Sequence, residues 1–332
     1  MISGKKIGVL GGGSWPTAIM KILSTNLDQV YWYMRNENAV EHIKKHKHNP
    51  NYIQSIEFDL EKIHVTTNMQ EVIDFADIII VAIPSAFIDQ AFQKHQPKGL
   101  ENKIVIAAVK GIINEYHSIP ARYFHKQFNI PYDNIGIIGG PCHAEEVAME
   151  KLSYLTIGCP NQENAQVVAD CLSTRFIKTK TSKDVFGIEI AAVLKNVYAI
   201  ASGICHGLSY GDNFQAVLIA NASQEMARFI KGIHPIERDI NDSAYLGDLL
   251  VTGYSPYSRN RTFGTMVGRG YSVKWATIEM NMVAEGYYAV KGIIEMNKKF
   301  NIDIPITETV YRILYEKITP VVEMRLLANR LK

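Results

Sequence analysis

Cysteine is scarce in this chain. The four thiols, at 142, 159, 171 and 205, follow no metal-ligand spacing, so no metal site is expected and a reducing compartment suits them. Long apolar runs are missing too. No stretch reaches about 18 residues without a charge, which excludes a legible membrane span. Charge of one sign is not in excess: the net value is +2, so no global field favours nucleic acid. The run Lys44, Lys45, His46, Lys47, His48 reads as a solvated helix end before it reads as a nucleic-acid patch. Internal repeats and low-complexity tracts are absent, and a strand beginning by Ile7 leaves no room for a secretory leader. The expected location is therefore the cytoplasm.

What is present is a chain of 332 residues, 47% hydrophobic, enough for two domains and a large core. Near its start stands "KIGVLGGGSWPTAIM". Ile7 to Leu10 is a short apolar run, the pattern of a buried strand. Gly11, Gly12 and Gly13 follow, residues that let the backbone press against a ligand. Thr17 to Leu27 carries apolar residues at helical spacing. Strand, glycine turn and helix open a Rossmann unit, whose helix N-terminus offers N–H groups to a pyrophosphate. An ordinary strand-to-helix turn has the same outline. Pro16 occupies the place of the last glycine of G-x-G-x-x-G. Proline is tolerated in a first helical turn, where its missing N–H has no intrahelical partner.

Further apolar runs appear at Val30 to Met34, Ala76 to Ile83, Ile104 to Val109 and Ile135 to Ile138, with a short one at Val65 to Thr67. Continuous apolar strands belong to parallel sheets covered on both faces. The fold class is thus α/β: a Rossmann-type doubly wound parallel sheet over residues 1–183, followed by an all-α domain over 184–332. In such sheets ligands sit at the carboxyl ends of strands, which singles out Pro84, Lys110 and the turn Gly139-Gly140-Pro141. In the second half, helices are expected over Asp184 to Leu208, Asp212 to Lys231, Met282 to Lys298 and Thr307 to Glu316.

Lys195 is the one Asp, Glu, Lys or Arg between Ile190 and Cys205. A lysine inside an apolar helix needs a partner or a function; the plainer reading is a buried stem with its ammonium reaching water. Asn196 beside it supplies donor and acceptor. A second cluster, Asp248, Thr252, Ser258, Arg259 and Asn260, lies in "GDLLVTGYSPYSRNRTFG". An arginine among hydroxyls and amides can clamp a phosphate, or the stretch can be a polar surface loop.

Taken together, "VLGGGSWPTA", "NPNY", "VKGI", "GGPCHAEEVA", "LKNVYAIASGICHGL", "GDLLVT", "SRNRTFG", "VAEGYYA" and "PITETVYRILYE" resemble, in order and spacing, the NAD(P)-dependent glycerol-3-phosphate dehydrogenases of the bacterial type. The resemblance implies reversible reduction of dihydroxyacetone phosphate to sn-glycerol 3-phosphate, feeding glycerophospholipid synthesis. It implies Lys195 as acid/base, with Asn196 and Asp248 completing the polar centre. Lys110, Gly140, Cys142, Ser258, Arg259 and Asn260 would meet substrate. Gly11, Gly13, Ser14, Trp15, Lys110, Ala144, Arg259, Val283 and Glu285 would meet cofactor. Cys142 stands where the family has serine, and His143 where it has phenylalanine. Two other readings share the layout: a hydroxyacid or ketopantoate reductase, and a non-enzymatic dinucleotide sensor. Partners are a small phosphorylated substrate and no nucleic acid; a homodimer is compatible with the sequence, which does not decide it. The strand "VYWYM" ends at Arg35, close to the about 20-residue spacing at which an NAD site carries an acid. An arginine there can accept a 2′-phosphate, so NADPH is expected to be used at least as well as NADH.

Overall fold

Isoleucine-, valine- and glycine-rich segments form the centre of a single sheet. The computed structural model describes residues 4–280 and 284–332. Eight strands, β1 (Ile7–Leu10), β2 (Val30–Tyr33), β3 (Ile63–Thr66), β4 (Ile78–Val81), β5 (Ile104–Ala107), β6 (Ile135–Gly139), β7 (Ser153–Gly158) and β8 (Ile177–Ser182), lie in the order 3-2-1-4-5-6-7-8. β1, β4 and β6 are buried along their whole length, as strands covered on both faces must be. All pairs are parallel except β6 with β7. The expected α/β class holds, with this antiparallel pair and β8 added at one edge.

The helices of this half are α1 (Ser14–Asn26), α2 (Glu37–His46), α3 (Met69–Phe75), α4 (Ile88–His95), α5 (Pro120–Phe128), α6 (Ala144–Ala148) and α7 (Gln162–Leu172). α2 shows how local sequence sets an element. The Asn36 side chain accepts from Ala39 N, Glu37 lies in the first turn, and Lys44, Lys45 and His46 fill the last. Caps and charges of this order complement the helix dipole. The basic run is therefore an exposed helix end.

The second half is helical: α8 (Val185–Gly207), α9 (Asp212–Ile233), α10 (Asp248–Tyr254), α11 (Arg259–Gly268), α12 (Val273–Glu279), α13 (Glu285–Asn297), α14 (Pro305–Leu314) and α15 (Pro320–Ala328). α8 is long and apolar enough to cross a membrane by length and composition, yet 94% of its most apolar window is buried inside the protein. Every residue from Ile188 to Cys205 is buried, so α8 is the central helix of this half. Glu225 on α9 accepts from Ile306 N, Thr307 N and Thr307 Oγ1 at 2.7, 3.0 and 2.7 Å. A buried carboxylate thus caps the N-terminus of α14, and burial raises its pKa to about 7.

The chain divides into two units. One comprises Met1–Val109 with Pro120–Val185, the other Lys110–Ile119 with Phe186–Lys332. The boundary expected at 183/184 falls two residues early, and Lys110–Ile119 belongs with the helical unit rather than with the sheet. The reason is tertiary: Lys110 is held by Asn196 and Asp248.

Candidate active site

In the sheet unit the glycine turn joins β1 to α1. Gly11 has φ +136°, and a Cβ there would lie 2.5 Å from the Ala82 carbonyl oxygen. Only glycine fits both constraints. Gly13 precedes α1 without a side-chain cap, so the helix presents its first N–H groups through residues that add no bulk. The helix starts at Ser14, three residues earlier than the sequence pattern suggests, because the apolar period begins only at Thr17. That places Ser14, Trp15 and Pro16 in the first turn. Pro16 is buried there and forfeits no intrahelical bond. The buried indole N–H of Trp15 has no hydrogen-bond partner among the described residues. A turn that only glycine can form, an uncapped helix N-terminus and an indole donor without a partner fit the pyrophosphate of a dinucleotide.

Arg35 is exposed just beyond β2, on the same sheet edge as the turn, since Gly11 N donates to the Tyr33 carbonyl at 3.0 Å. Gly140 follows β6 with φ +104°, where a Cβ would meet the Tyr154 carbonyl oxygen at 2.8 Å. Cys142 is half-buried and not in a disulfide, His143 is half-buried, and buried Ala144 begins α6.

In the helical unit, α8 carries Lys195 into the interior. Its ammonium donates to Asp248 Oδ1 and, at 2.8 Å, to Thr252 Oγ1. Lys110 Nζ donates to the same carboxylate, 3.0 Å from Oδ2. Asn196 Nδ2 donates to the Lys110 carbonyl at 2.8 Å, and the Thr252 hydroxyl also donates to Asp248 O at 2.6 Å. One carboxylate thus faces two ammonium groups, and all of these side chains are fixed by hydrogen bonds. A π-helical turn, Ser243–Gly247, delivers Asp248 to this point; such turns recur at functional sites. Burial pulls the Lys195 pKa down to about 7, with Lys110 acting the same way and Asp248 opposing. Burial pushes the Asp248 carboxyl up, but the two lysines outweigh it and hold its pKa below the usual range. Asp248 therefore stays ionised while Lys195 is poised to gain and lose a proton near neutrality.

The expected phosphate-binding residues stand at the start of α11. Ser258 is its N-cap, accepting from Arg261 N at 3.3 Å. Asn260 Oδ1 accepts from Gly286 N at 2.9 Å, tying α11 to α13. Two of the three side chains read as phosphate contacts thus also carry capping bonds, a task signalled by serine before a helical run. Arg259 is half-buried at the first position of α11. Glu285 opens α13; Val283 lies outside the described residues.

Glycines set how closely α8 and α11 approach. A Cβ on Gly203 would overlap the Arg261 carbonyl oxygen, and one on Gly264 the Ile200 carbonyl oxygen. Gly207 and Gly268, one turn further along each helix, meet Thr265 and Ile204 in the same way. The helix of Lys195 and the helix of Arg259 are in backbone contact. Thr252 is the site residue whose role sequence reasoning missed; its place four residues after Asp248 was the available signal.

A family model described as NAD-dependent glycerol-3-phosphate dehydrogenase N-terminus matches residues 6–165, and its C-terminus counterpart matches residues 184–324. The chain belongs to this family. It is 30% identical over 326 residues to a glycerol-3-phosphate dehydrogenase [NAD(P)+] of Staphylococcus carnosus, covering 98% of each chain. It is 32% identical to one of Clostridium botulinum over 315 residues, covering 95% of this chain and 94% of that one. Its fold matches the crystal structure of the Coxiella burnetii glycerol-3-phosphate dehydrogenase with a TM-score of 0.90 at 24% identity, covering 98% of both.

Proposed function

We infer that the protein catalyses the reversible NAD(P)H-dependent reduction of dihydroxyacetone phosphate to sn-glycerol 3-phosphate, in the cytoplasm, as a source of the glycerophospholipid backbone. The reading is carried by the buried cluster Lys195–Asp248–Lys110 with Thr252, in a chain of this family.

The reduced nicotinamide supplies the hydride. The protein's residues do the rest. Lys195 faces the C2 oxygen of the substrate, offsets the negative charge that grows there and donates the proton. In the reverse direction the same nitrogen, neutral, takes the proton back. A pKa of about 7 lets one group serve both directions near neutral pH. Asp248 and Thr252 aim the ammonium, and Asn196 holds the Lys110 backbone beside it. Lys110 of the helical unit and, in the sheet unit, Gly140 and Cys142 are the further substrate contacts that the family resemblance implies. Cys142 offers a thiol where a hydroxyl would bond more strongly.

Arg259, with Ser258 and Asn260 at the N-terminus of α11, receives the substrate phosphate. A helix start and a guanidinium both suit an anion. Fixing the remote phosphate orients C2. A hydroxyacid or ketopantoate reductase has no phosphate to place on such a clamp, and a mere sensor has no use for a lysine poised at neutrality. Gly11, Gly13, Ser14 and Trp15 hold the pyrophosphate. Arg35 receives a 2′-phosphate, and Lys110, Ala144, Arg259 and Glu285 add cofactor contacts.

Following NADPH absorbance with dihydroxyacetone phosphate, with unphosphorylated dihydroxyacetone and with ketopantoate tests this reading. Turnover with the phosphorylated ketone is expected to be far faster than with unphosphorylated dihydroxyacetone, with none on ketopantoate. Absence of turnover with all three, in folded protein that binds NADPH, would leave the sensor reading.

A further inference from the structure

Three consecutive carbonyl oxygens of the glycine turn each accept a hydrogen bond from a buried side chain. Trp32 Nε1 donates to Gly11 O at 2.6 Å. Asn49 Nδ2 donates to Gly12 O at 3.2 Å. Thr17 Oγ1 donates to Gly13 O at 2.8 Å. The three donors have no solvent exposure, and they come from three places: β2, the segment after α2, and α1.

Asn49 links two of these bonds. Its Nδ2 also donates to Thr17 Oγ1 at 2.9 Å, while its Oδ1 accepts from Asn51 N at 3.0 Å. The amide is thereby fixed in orientation, with nitrogen toward the turn. The residue belongs to "NPNY", which lies outside the strand–turn–helix unit and contributes none of the expected ligand contacts.

The consequence follows from peptide geometry. In a trans peptide the N–H points opposite to the C=O. Drawing the oxygens of Gly11, Gly12 and Gly13 toward buried donors turns the N–H groups of Gly12, Gly13 and Ser14 the other way. Successive N–H groups aimed to one side make an anion-binding concavity. Three glycines in a row are otherwise the most conformationally free segment a chain can have. Side chains that restrict them lower the ordering cost of binding.

We propose that Asn49 is a positioning residue for the dinucleotide, holding the Gly11–Gly13 turn, together with Trp32 and Thr17, in the conformation that receives the pyrophosphate. The inference rests on cofactor binding at this turn.

The test compares wild type with Asn49→Leu, which keeps the volume and loses both donors. Five quantities are measured: the Kd of NADPH by nicotinamide fluorescence, the inhibition constants of ADP-ribose and of adenosine, kcat at saturating NADPH, and the melting temperature without ligand. NADPH and ADP-ribose, which carry the pyrophosphate, should weaken by about 10- to 100-fold. Adenosine and kcat should stay near wild type. Native NADPH affinity in the folded variant overturns the proposal, as does an equal loss for adenosine, which indicates general disruption. If Asn49→Leu does not fold, Thr17→Val and Thr17→Ser decide. The valine variant should lose pyrophosphate ligands selectively and the serine variant, which keeps the hydroxyl, should bind as wild type; equal affinity in both overturns the proposal. Wild-type protein that binds neither NADPH nor ADP-ribose would instead refute the cofactor site itself.

Discussion

The side chains of Lys195 and Asp248 are paired with 6% and 2% exposure respectively. Breaking such a pair leaves an uncompensated buried charge, so the choice of substitution matters. Methionine at 195 keeps the stem volume and removes the charge. Lys110 remains on Asp248 in that variant, so the carboxylate is not orphaned. Lys195→Met should bind NADPH as wild type does and slow single-turnover hydride transfer by about 10²–10⁴-fold. Near-normal hydride transfer would remove Lys195 as the acid and leave Lys110 as the next candidate.

Asp248→Asn changes the pH dependence in a definite direction. In the folded protein burial lowers the Lys195 pKa to about 7, and the Asp248 charge works against that fall. Without the charge the pKa drops further. Reduction needs the ammonium, so its rate falls as pH rises through the pKa; in Asp248→Asn the fall should begin at lower pH than in wild type. Oxidation needs the amine, so its rising limb should move to lower pH as well. Single-turnover rates in both directions across pH give the inflections, and unchanged inflections would mean that Asp248 does not tune this lysine.

Gly264→Ala separates helix propensity from packing. In an open helix alanine gains about 0.5–1 kcal/mol over glycine. Here its Cβ would overlap the Ile200 carbonyl oxygen, so the sign should reverse to a loss of about 1–3 kcal/mol by urea unfolding. Because α11 carries Arg259, the KM for dihydroxyacetone phosphate should rise more than the Kd for NADPH. A stabilised variant with native KM would show that α8 and α11 do not depend on this contact.

Strands buried on both faces were legible because nothing interrupts their apolar runs, as in "IIIV" at Ile78–Val81. β8 was not: Lys178 and Lys180 alternate with Ile177 and Thr179, and an edge strand with one wet face carries a weak signal. β7 has the exposed Tyr154 within it. In the site, Lys195 stood out as a lone charge in an apolar helix. Its partnership with Asp248, and that of Lys110, joins residues 53 and 138 positions apart, which no local pattern encodes. Asn49 gave no sign of burial either. It follows a run of lysines and histidines, and only the approach of its loop to the glycine turn makes it interior.

Cofactor preference rests on Arg35. The residue is exposed beside the turn, where a 2′-phosphate would gain a charged hydrogen bond of about 1.5–3 kcal/mol. Arg35→Ala should therefore lower kcat/KM for NADPH by about 10-fold or more and leave NADH nearly unchanged. A wild-type enzyme clearly better with NADH, combined with no NADPH effect of the substitution, would exclude Arg35 from the cofactor site.

Arg259 is the candidate that separates this substrate from its unphosphorylated analogue. Ser258 and Asn260 beside it also carry structural bonds, to Arg261 N and Gly286 N, so truncating either disturbs α11 as well as any ligand. Arg259 is the first residue of the helix rather than its cap, so shortening it leaves the Ser258 capping bond in place. A charged hydrogen bond of about 1.5–3 kcal/mol corresponds to a loss of roughly 10- to 150-fold. That loss should appear in kcat/KM for dihydroxyacetone phosphate with Arg259→Ala and be much smaller for dihydroxyacetone, which has nothing to place on the guanidinium. Arg259→Lys should recover only part of it, since an ammonium keeps the charge but not the two-pronged geometry. Adding inorganic phosphate sharpens the comparison: as a competitor it should inhibit the wild type more strongly than the alanine variant. Equal losses on the phosphorylated and unphosphorylated ketones would take Arg259 out of the phosphate site and leave the N–H groups of α11 as the remaining anion donors.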